Sequence, residues 1–222
     1  LGPEERALYE ALRRNAMQVM GRNTSQPAHN QLKILAEIMK LRRACCHPRL
    51  VMEGSTLSSS KLQAFEELVD ELLDNRHKAL VFSQFVGHLM IIRELLDKKG
   101  INYHYLDGST PVVQRKKAVN LFQAGDGDLF LISLKAGGTG LNLTAADYVI
   151  HMDPWWNPAA ENQAVSRAHR IGQDKQVFVY RFITENSIEE KIQKLKERKS
   201  SLADKFINSN NPFQAITQEE II

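Results

Sequence analysis

Between residues 60 and 183, short apolar runs alternate with segments of helical period, and this alternation limits the possible folds more than any other feature of the chain. Ser60 and Gln63 fit a capping box over a helix buried through Leu62, Phe65, Leu68 and Leu72, and a strand follows at 79–82. The spacing then predicts a helix over 85–99 ending at Gly100, a strand over 101–106, and a helix over 111–124 opened by Thr110 and Pro111. Strands over 128–132 and 148–152, a helix over 158–169 and a strand over 176–183 complete the series. Strands joined through helices predict an α/β fold, a parallel sheet covered on both faces.

The flanks read differently. Pro3 opens a helix with Leu8, Leu12, Ala16 and Val19 on one face, closed by Gly21. A polar loop over 22–30 leads to a second helix carrying Leu32, Leu35, Ile38 and Met39, which ends before Pro48. Ser187 and Glu190 cap a last helix with Ile188, Ile192, Leu195, Leu202 and Phe206 inward and Lys191, Lys194, Lys196, Arg198 and Lys199 outward. The expected segments are therefore a helical appendage over 1–52, a Gly- and Ser-rich connector over 53–60, the α/β region over 61–186, a terminal helix over 187–208 and a loose tail over 209–222.

Lys and Arg exceed Asp and Glu by 29 to 26, a net +3 that permits a polyanionic partner without demanding one. The only cysteines, Cys45 and Cys46, are adjacent, too close for an ordinary bridge and without a metal-spaced companion, so no metal site is expected and a reducing compartment is. No apolar run approaches the roughly 20 residues that span a bilayer. The chain reads as part of a longer protein, with no membrane partner and a monomeric state expected.

The chemistry concentrates between Leu129 and Gln173. A strand empties into Lys135-Ala136-Gly137-Gly138-Thr139-Gly140, whose glycines let backbone amides approach a phosphate. The same pattern also suits a tight strand-to-helix turn. No GxxxxGK[ST] occurs in the chain, so Asp153 reads as a strand-ending aspartate satisfied by nearby amides rather than a magnesium ligand. In Asp153-Pro-Trp-Trp-Asn-Pro, one tryptophan is expected in the core and the other at a ligand or partner. Gln163, Arg167 and Arg170 stand at i, i+4 and i+7 of the next helix; arginines so placed suit an incoming phosphate, though a solvated ion-pair face is the commoner outcome.

In order, these segments resemble the second RecA-like lobe of superfamily-two motors, specifically the Swi/Snf family of ATP-dependent DNA translocases. LVFSQF at 80–85 is similar to motif IV, LDGST at 106–110 with Arg115 to motif IVa, and SLKAGGTGLNLT at 133–144 to motif V. DPWWNP at 153–158 and the stretch 163–173 are similar to the family's DPWWNP element and motif VI. The first helix and LRRACCHPRLV at 41–51 resemble the family's protrusion and linker, and 187–208 a brace-like helix.

The resemblance implies a RecA-like sheet and half of a motor on double-stranded DNA that does not separate strands. ATP and Mg2+ are held mainly by a separate N-terminal lobe of the parent chain, which is the implied partner. Arg167 and Arg170 are the implied arginine fingers, Gln163 an interface residue, and Gly138 and Gly140 the nucleotide side. Ser83, Gln84, Ser109, Thr110, Arg115, Lys135, the amides of Ala136 and Gly137, and Trp156 are the implied DNA contacts. Most are hydroxyls, amides and cations of the kind that track a phosphate backbone. Ser166 stands where the family more often has Asp, a departure that weakens the ion pair positioning Arg167 while leaving a hydroxyl oxygen able to accept a hydrogen bond from it. The lobe alone is expected to be inactive. The alternative is a standalone RecA-like module that binds DNA or protein without catalysis; an α/β enzyme with its own nucleotide site lacks both P-loop and GxGxxG. The expected setting is bacterial or archaeal cytoplasm, or the nucleus of a eukaryote.

Overall fold

Ala79–Ser83, five buried residues in a row, form β1 and the middle of a parallel sheet. The computed structural model describes residues 1–21, 27–137, 140–168 and 176–203. Within these, the remaining strands are β2 (Tyr103–Leu106), β3 (Leu129–Ser133), β4 (Tyr148–His151) and β5 (Phe178–Arg181). The helices are α1 (Pro3–Gly21), α2 (Pro27–Cys46), α3 (Ser60–Asp74), α4 (Val86–Lys99), α5 (Val112–Gln123), α6 (Leu134–Gly137), α7 (Pro158–Ala168) and α8 (Ile188–Ala203). They divide into two compact units, Leu62–Phe182 and the combination of Leu1–Lys61 with the chain from Ile183 onward.

In the first of these units the strand order is β2-β3-β1-β4-β5 and every pairing is parallel, with Ala79 opposite both Leu129 and Tyr148. Alternation along the strands separates two cores. Val81, Leu131 and Ile150 pack with Phe65 and Val69 of α3 and with Leu89, Ile92 and Leu96 of α4. Leu80, Phe82, Phe130, Ile132 and Val149 pack on the other face with Phe122 of α5 and Ala164 and Ala168 of α7. Each fully buried leucine, isoleucine or phenylalanine contributes about 1.5–3 kcal/mol, so both faces are driven by apolar burial. Gly100 ends α4 in the left-handed region at φ 66, a conformation that other residues enter only against steric resistance.

The helical unit is centred on charge. Glu189 of α8 is fully buried, and both its carboxylate oxygens accept from Lys61 Nζ, at 2.6 and 2.8 Å. The Thr184 N–H adds a third bond at 2.9 Å. Burial opposes the charge on Lys61, but Glu189, with help from the neighbouring thiols, holds its affinity for the proton above that of an ordinary lysine. Cys45 and Cys46 are buried and unbridged, and burial, reinforced by Glu189, pushes the Cys45 thiol up to about 12. Tyr9 of α1 reaches α8, its hydroxyl accepting from the Ile188 N–H at 2.7 Å. Among the described residues no helix is long and apolar enough to cross a membrane.

Four local expectations are corrected. The second helix starts at Pro27, inside the expected loop, because proline's fixed φ suits a first helical position. The Ser60 hydroxyl serves Glu5, whose carboxylate also takes the Ser60 and Gly2 N–H groups, so it is engaged with α1 instead of forming a box with Gln63. Lys196, expected on the outer face of the last helix, is buried with its ammonium 3.3 Å from Gln193 Oε1; its long stem allows that placement. Residues 134–137, expected as loop, wind into a helical turn, since Leu134, Lys135 and Ala136 favour helix ahead of Gly137.

Candidate functional site

Because all strands run the same way, the segments that follow them gather at one edge of the sheet. β1 is followed by α4 on one face, whereas its neighbours β3 and β4 lead to structure on the other. The carboxyl end of β1 is therefore the point where connections diverge, the usual ligand crevice of an open α/β sheet.

Asp153 sits there at 1% exposure. It accepts the Ser83 hydroxyl at 2.5 Å, the Gln84 N–H at 3.3 and 3.4 Å, and the Gln84 side-chain amide. Ser83 Oγ in turn accepts the Phe85 N–H at 3.1 Å. A buried carboxylate is tolerable only with donors of this kind, and side chains supply more of them than the amides expected from sequence. The residue pair Ser83 and Gln84 and the aspartate thus form one unit, with the Ser83 hydroxyl turned inward.

The turn after Asp153 is braced from α7. Glu161 accepts the Trp155 N–H at 3.1 Å and ion-pairs with Arg181 Nε at 3.3 Å. Trp155 is buried, its ring edge-on to Phe82 and His151, while Trp156 is half-buried, so the two tryptophans divide as the sequence suggests. Glu161 went unnoticed in the sequence; its only mark is an acidic residue in the first turn of a helix, where carboxylates are common for electrostatic reasons.

After β2, Asp107 organises the turn that holds Ser109 and Thr110. Its Oδ1 accepts from the Ser109 N–H at 2.8 Å, the Ser109 hydroxyl at 2.6 Å and the Thr110 hydroxyl at 3.4 Å. Thr110 Oγ1 accepts the Asp107 N–H at 3.1 Å, and Tyr105 donates to Asp107 Oδ2 at 2.8 Å. The Ser109 hydroxyl first, followed by the other donors, lowers the Asp107 pKa to about 2. Ser109 is exposed and Thr110 half-buried. Asp followed by Gly-Ser-Thr is an Asx-turn pattern, so this role was available in the sequence and was missed.

Arg115 of α5 donates to the Ala136 carbonyl at 3.4 Å, which joins two expected DNA contacts. Ala136 itself is fully buried within α6, the turn that also includes Lys135 and Gly137. Gly140 is exposed at φ 59, whereas Gly138 lies outside the described residues. On α7, Gln163 is exposed but Arg167 is only 3% exposed, which is not a solvated ion-pair face. The Arg167 carbonyl accepts the Leu143 N–H at 3.0 Å, tying the helix to the segment after α6. Arg170 lies outside the described residues. Ser166 is exposed and turns its hydroxyl back to the Gln163 carbonyl at 2.7 Å.

The family model described as the helicase conserved C-terminal domain matches residues 60–172. An uncharacterized ATP-dependent helicase of Mycoplasma pneumoniae is 38% identical across 100% of this chain and 21% of its own length. A putative ATP-dependent helicase/translocase of Bacillus subtilis is 37% identical across 100% of this chain and 24% of its own. The chain thus spans about a quarter or less of these curated relatives. Of solved structures, the Sulfolobus solfataricus SWI2/SNF2 ATPase C-terminal domain superposes with a TM-score of 0.81 at 32% identity, covering 100% of this chain and 92% of that one. The core of the same ATPase in complex with dsDNA gives 0.84 at 33% identity, covering 100% and 48%. With a RecA-like parallel sheet and its motif segments collected on one edge, the chain belongs to the helicase conserved C-terminal domain family and is of the Swi2/Snf2 type.

Proposed function

We propose that this chain is the second lobe of an ATP-driven motor that moves along double-stranded DNA without separating its strands. The observation that carries this reading is the gathering of motifs IV, IVa, V and the DPWWNP turn at the carboxyl edge of one parallel sheet. The dsDNA-bound state of the Sulfolobus core supports the choice of nucleic acid. Ser109, Thr110, Arg115, the α6 turn with Lys135, Ala136 and Gly137, and Trp156 form the backbone track. Gln84 belongs to it beside Ser83, whose inward hydroxyl makes it a support for that track. Hydroxyl, amide and cationic contacts read phosphate spacing and carry no base sequence. Residues 1–52 serve as protrusion and 187–208 as brace.

The nucleotide belongs mostly to the other lobe of the parent chain, with Gly138 and Gly140 completing its boundary. Asp153 does not fit Mg2+, because its oxygens already receive the Ser83 and Gln84 donors. Arg167 and Arg170 act when the lobes close. A guanidinium is planar and always charged, and a desolvated one interacts strongly with a developing phosphoryl anion. Gln163 stands at that interface. Relatives from bacteria and from eukaryotes, among them a chromatin remodelling protein of Arabidopsis thaliana, are consistent with either expected setting, bacterial cytoplasm or eukaryotic nucleus.

The test is Arg167→Ala and Arg170→Ala in the full-length protein. DNA affinity stays near the parent value while turnover falls by about a thousandfold, the scale of a lost arginine finger. Lysine restores little, lacking the planar fork. Since Arg167 is buried, thermal unfolding of each variant separates lost chemistry from lost fold. Near-normal DNA-stimulated hydrolysis in both alanine variants overturns the arginine-finger and motif VI assignment, whereas a full-length parent without DNA-stimulated hydrolysis leaves the standalone binding module.

A further inference from the structure

Ser109 and Thr110 are held by a relay of side chains that begins on α4. Asp97 accepts the Tyr103 hydroxyl at 2.8 Å, and Arg93 Nε donates to that same hydroxyl oxygen at 3.2 Å. The Arg93 guanidinium also lies 4.6 Å over the Tyr105 ring, fixing the ring between β2 and α4. Tyr105 then donates to Asp107 Oδ2 at 2.8 Å, and Asp107 Oδ1 gathers Ser109 and Thr110. An aspartate's terminal torsion is soft, so a carboxylate held through one oxygen alone can turn about it. Tyr105 removes that freedom. Burial, followed by the hydrogen bond to Asp107, pushes the Tyr105 hydroxyl up to about 12, still further from ionising than an ordinary phenol.

We propose that Tyr105 is a positioning residue for DNA binding: by fixing Asp107 it sets the Ser109 and Thr110 hydroxyls in the geometry that meets the phosphate backbone. This rests on the reading of Ser109 and Thr110 as backbone contacts. Both hydroxyls point their protons at Asp107 in the structure. A small rotation hands the Ser109 proton to a phosphate oxygen, while the Ser109 N–H bond to Asp107 keeps the turn closed.

The experiment is a cycle in the full-length protein, reading DNA-stimulated ATPase against duplex DNA concentration. Tyr105→Phe keeps the ring and its stacking under Arg93 and loses only the hydroxyl. It raises the half-saturating DNA concentration about fivefold, the scale of one ordinary hydrogen bond felt through Asp107, with turnover at saturation within about twofold of the parent. In an Asp107→Ala background the same change has no further effect, because its effect passes through Asp107. An unchanged half-saturation in Tyr105→Phe, alongside a raised one in Ser109→Ala/Thr110→Ala, overturns the proposal and leaves the DNA track standing. An equal, additive effect in the Asp107→Ala background also overturns it. If Ser109→Ala/Thr110→Ala binds DNA normally, the backbone-contact reading falls and the proposal with it.

Discussion

Glu189 and Asp107 are carboxylates that each organise several neighbours, one in each compact unit, and they do so by opposite means. Glu189 is fully buried, and a lysine ammonium touches both its oxygens. Asp107 sits at a half-buried turn and is held by a phenol, two hydroxyls and an amide. Removing half of a buried ion pair strands the other charge out of water, whereas neutral donors released at a surface find water again. The difference separates a carboxylate that stabilises the helical unit from one that shapes a surface.

That distinction is open to four measurements. Glu189→Ala costs about 3–5 kcal/mol in denaturant unfolding because the Lys61 ammonium stays buried without the carboxylate that touches it at 2.6 and 2.8 Å. Lys61→Met with Glu189→Leu costs less than Glu189→Ala, as a buried pair replaced together leaves no orphaned charge. A loss below about 1 kcal/mol for Glu189→Ala erases the contrast.

Asp153 sharpens it, being buried like Glu189 but served by the hydroxyl of Ser83 and the amides of Gln84. Asp153→Ala is expected to cost about 1–3 kcal/mol, the scale of buried donors left unsatisfied. Equal losses for Asp153→Ala and Glu189→Ala in the same unfolding assay indicate that burial, and not the charge partner, sets the scale.

The smallest effect is at Asp107. Its folded pKa is depressed to about 2, below the ordinary range of an aspartate, so its stabilising contribution is complete at neutral pH and is lost as pH falls from that range through the folded value. An NMR titration of the Asp107 carboxyl should show its midpoint near 2; a midpoint near 4 means the turn's hydrogen bonds do not hold in solution.

Periodicity made the sheet legible because burial on both faces writes continuous apolar runs such as Ala79 to Phe82, and Gly100 marked a helix end that only its left-handed φ explains. At the sheet edge, the segments resembling motifs IV, IVa and V each include the end of a strand and the DPWWNP turn follows one, as the alternation predicts. What the sequence did not carry was direction. Ser83, Ser109 and Thr110 are hydroxyls in the expected positions, yet each sends its proton to a carboxylate, because a motif records residue type and spacing but not which way a bond points. Glu161 and Tyr105 escaped for a related reason: their importance lies in what they touch across a strand or helix boundary, which no local pattern encodes. Lys196 escaped because a lysine looks solvated in any helical wheel even when its stem is covered.

The place of β1 in the sheet bears on how the chain comes to be made. Its two neighbours lie about fifty and about seventy positions further along, at Leu129 and Tyr148. The innermost strand is thus the first synthesised and among the last to be fully paired. During translation the backbone N–H and C=O groups of Ala79–Ser83 stay without their ladder partners on both edges until the ribosome has delivered β3 and β4, and pairings so distant in sequence form slowly. The geometry that places this strand at the centre of the sheet therefore makes the interval of its unpaired edges coincide with the synthesis of the motif-bearing segments that follow β2 and β3.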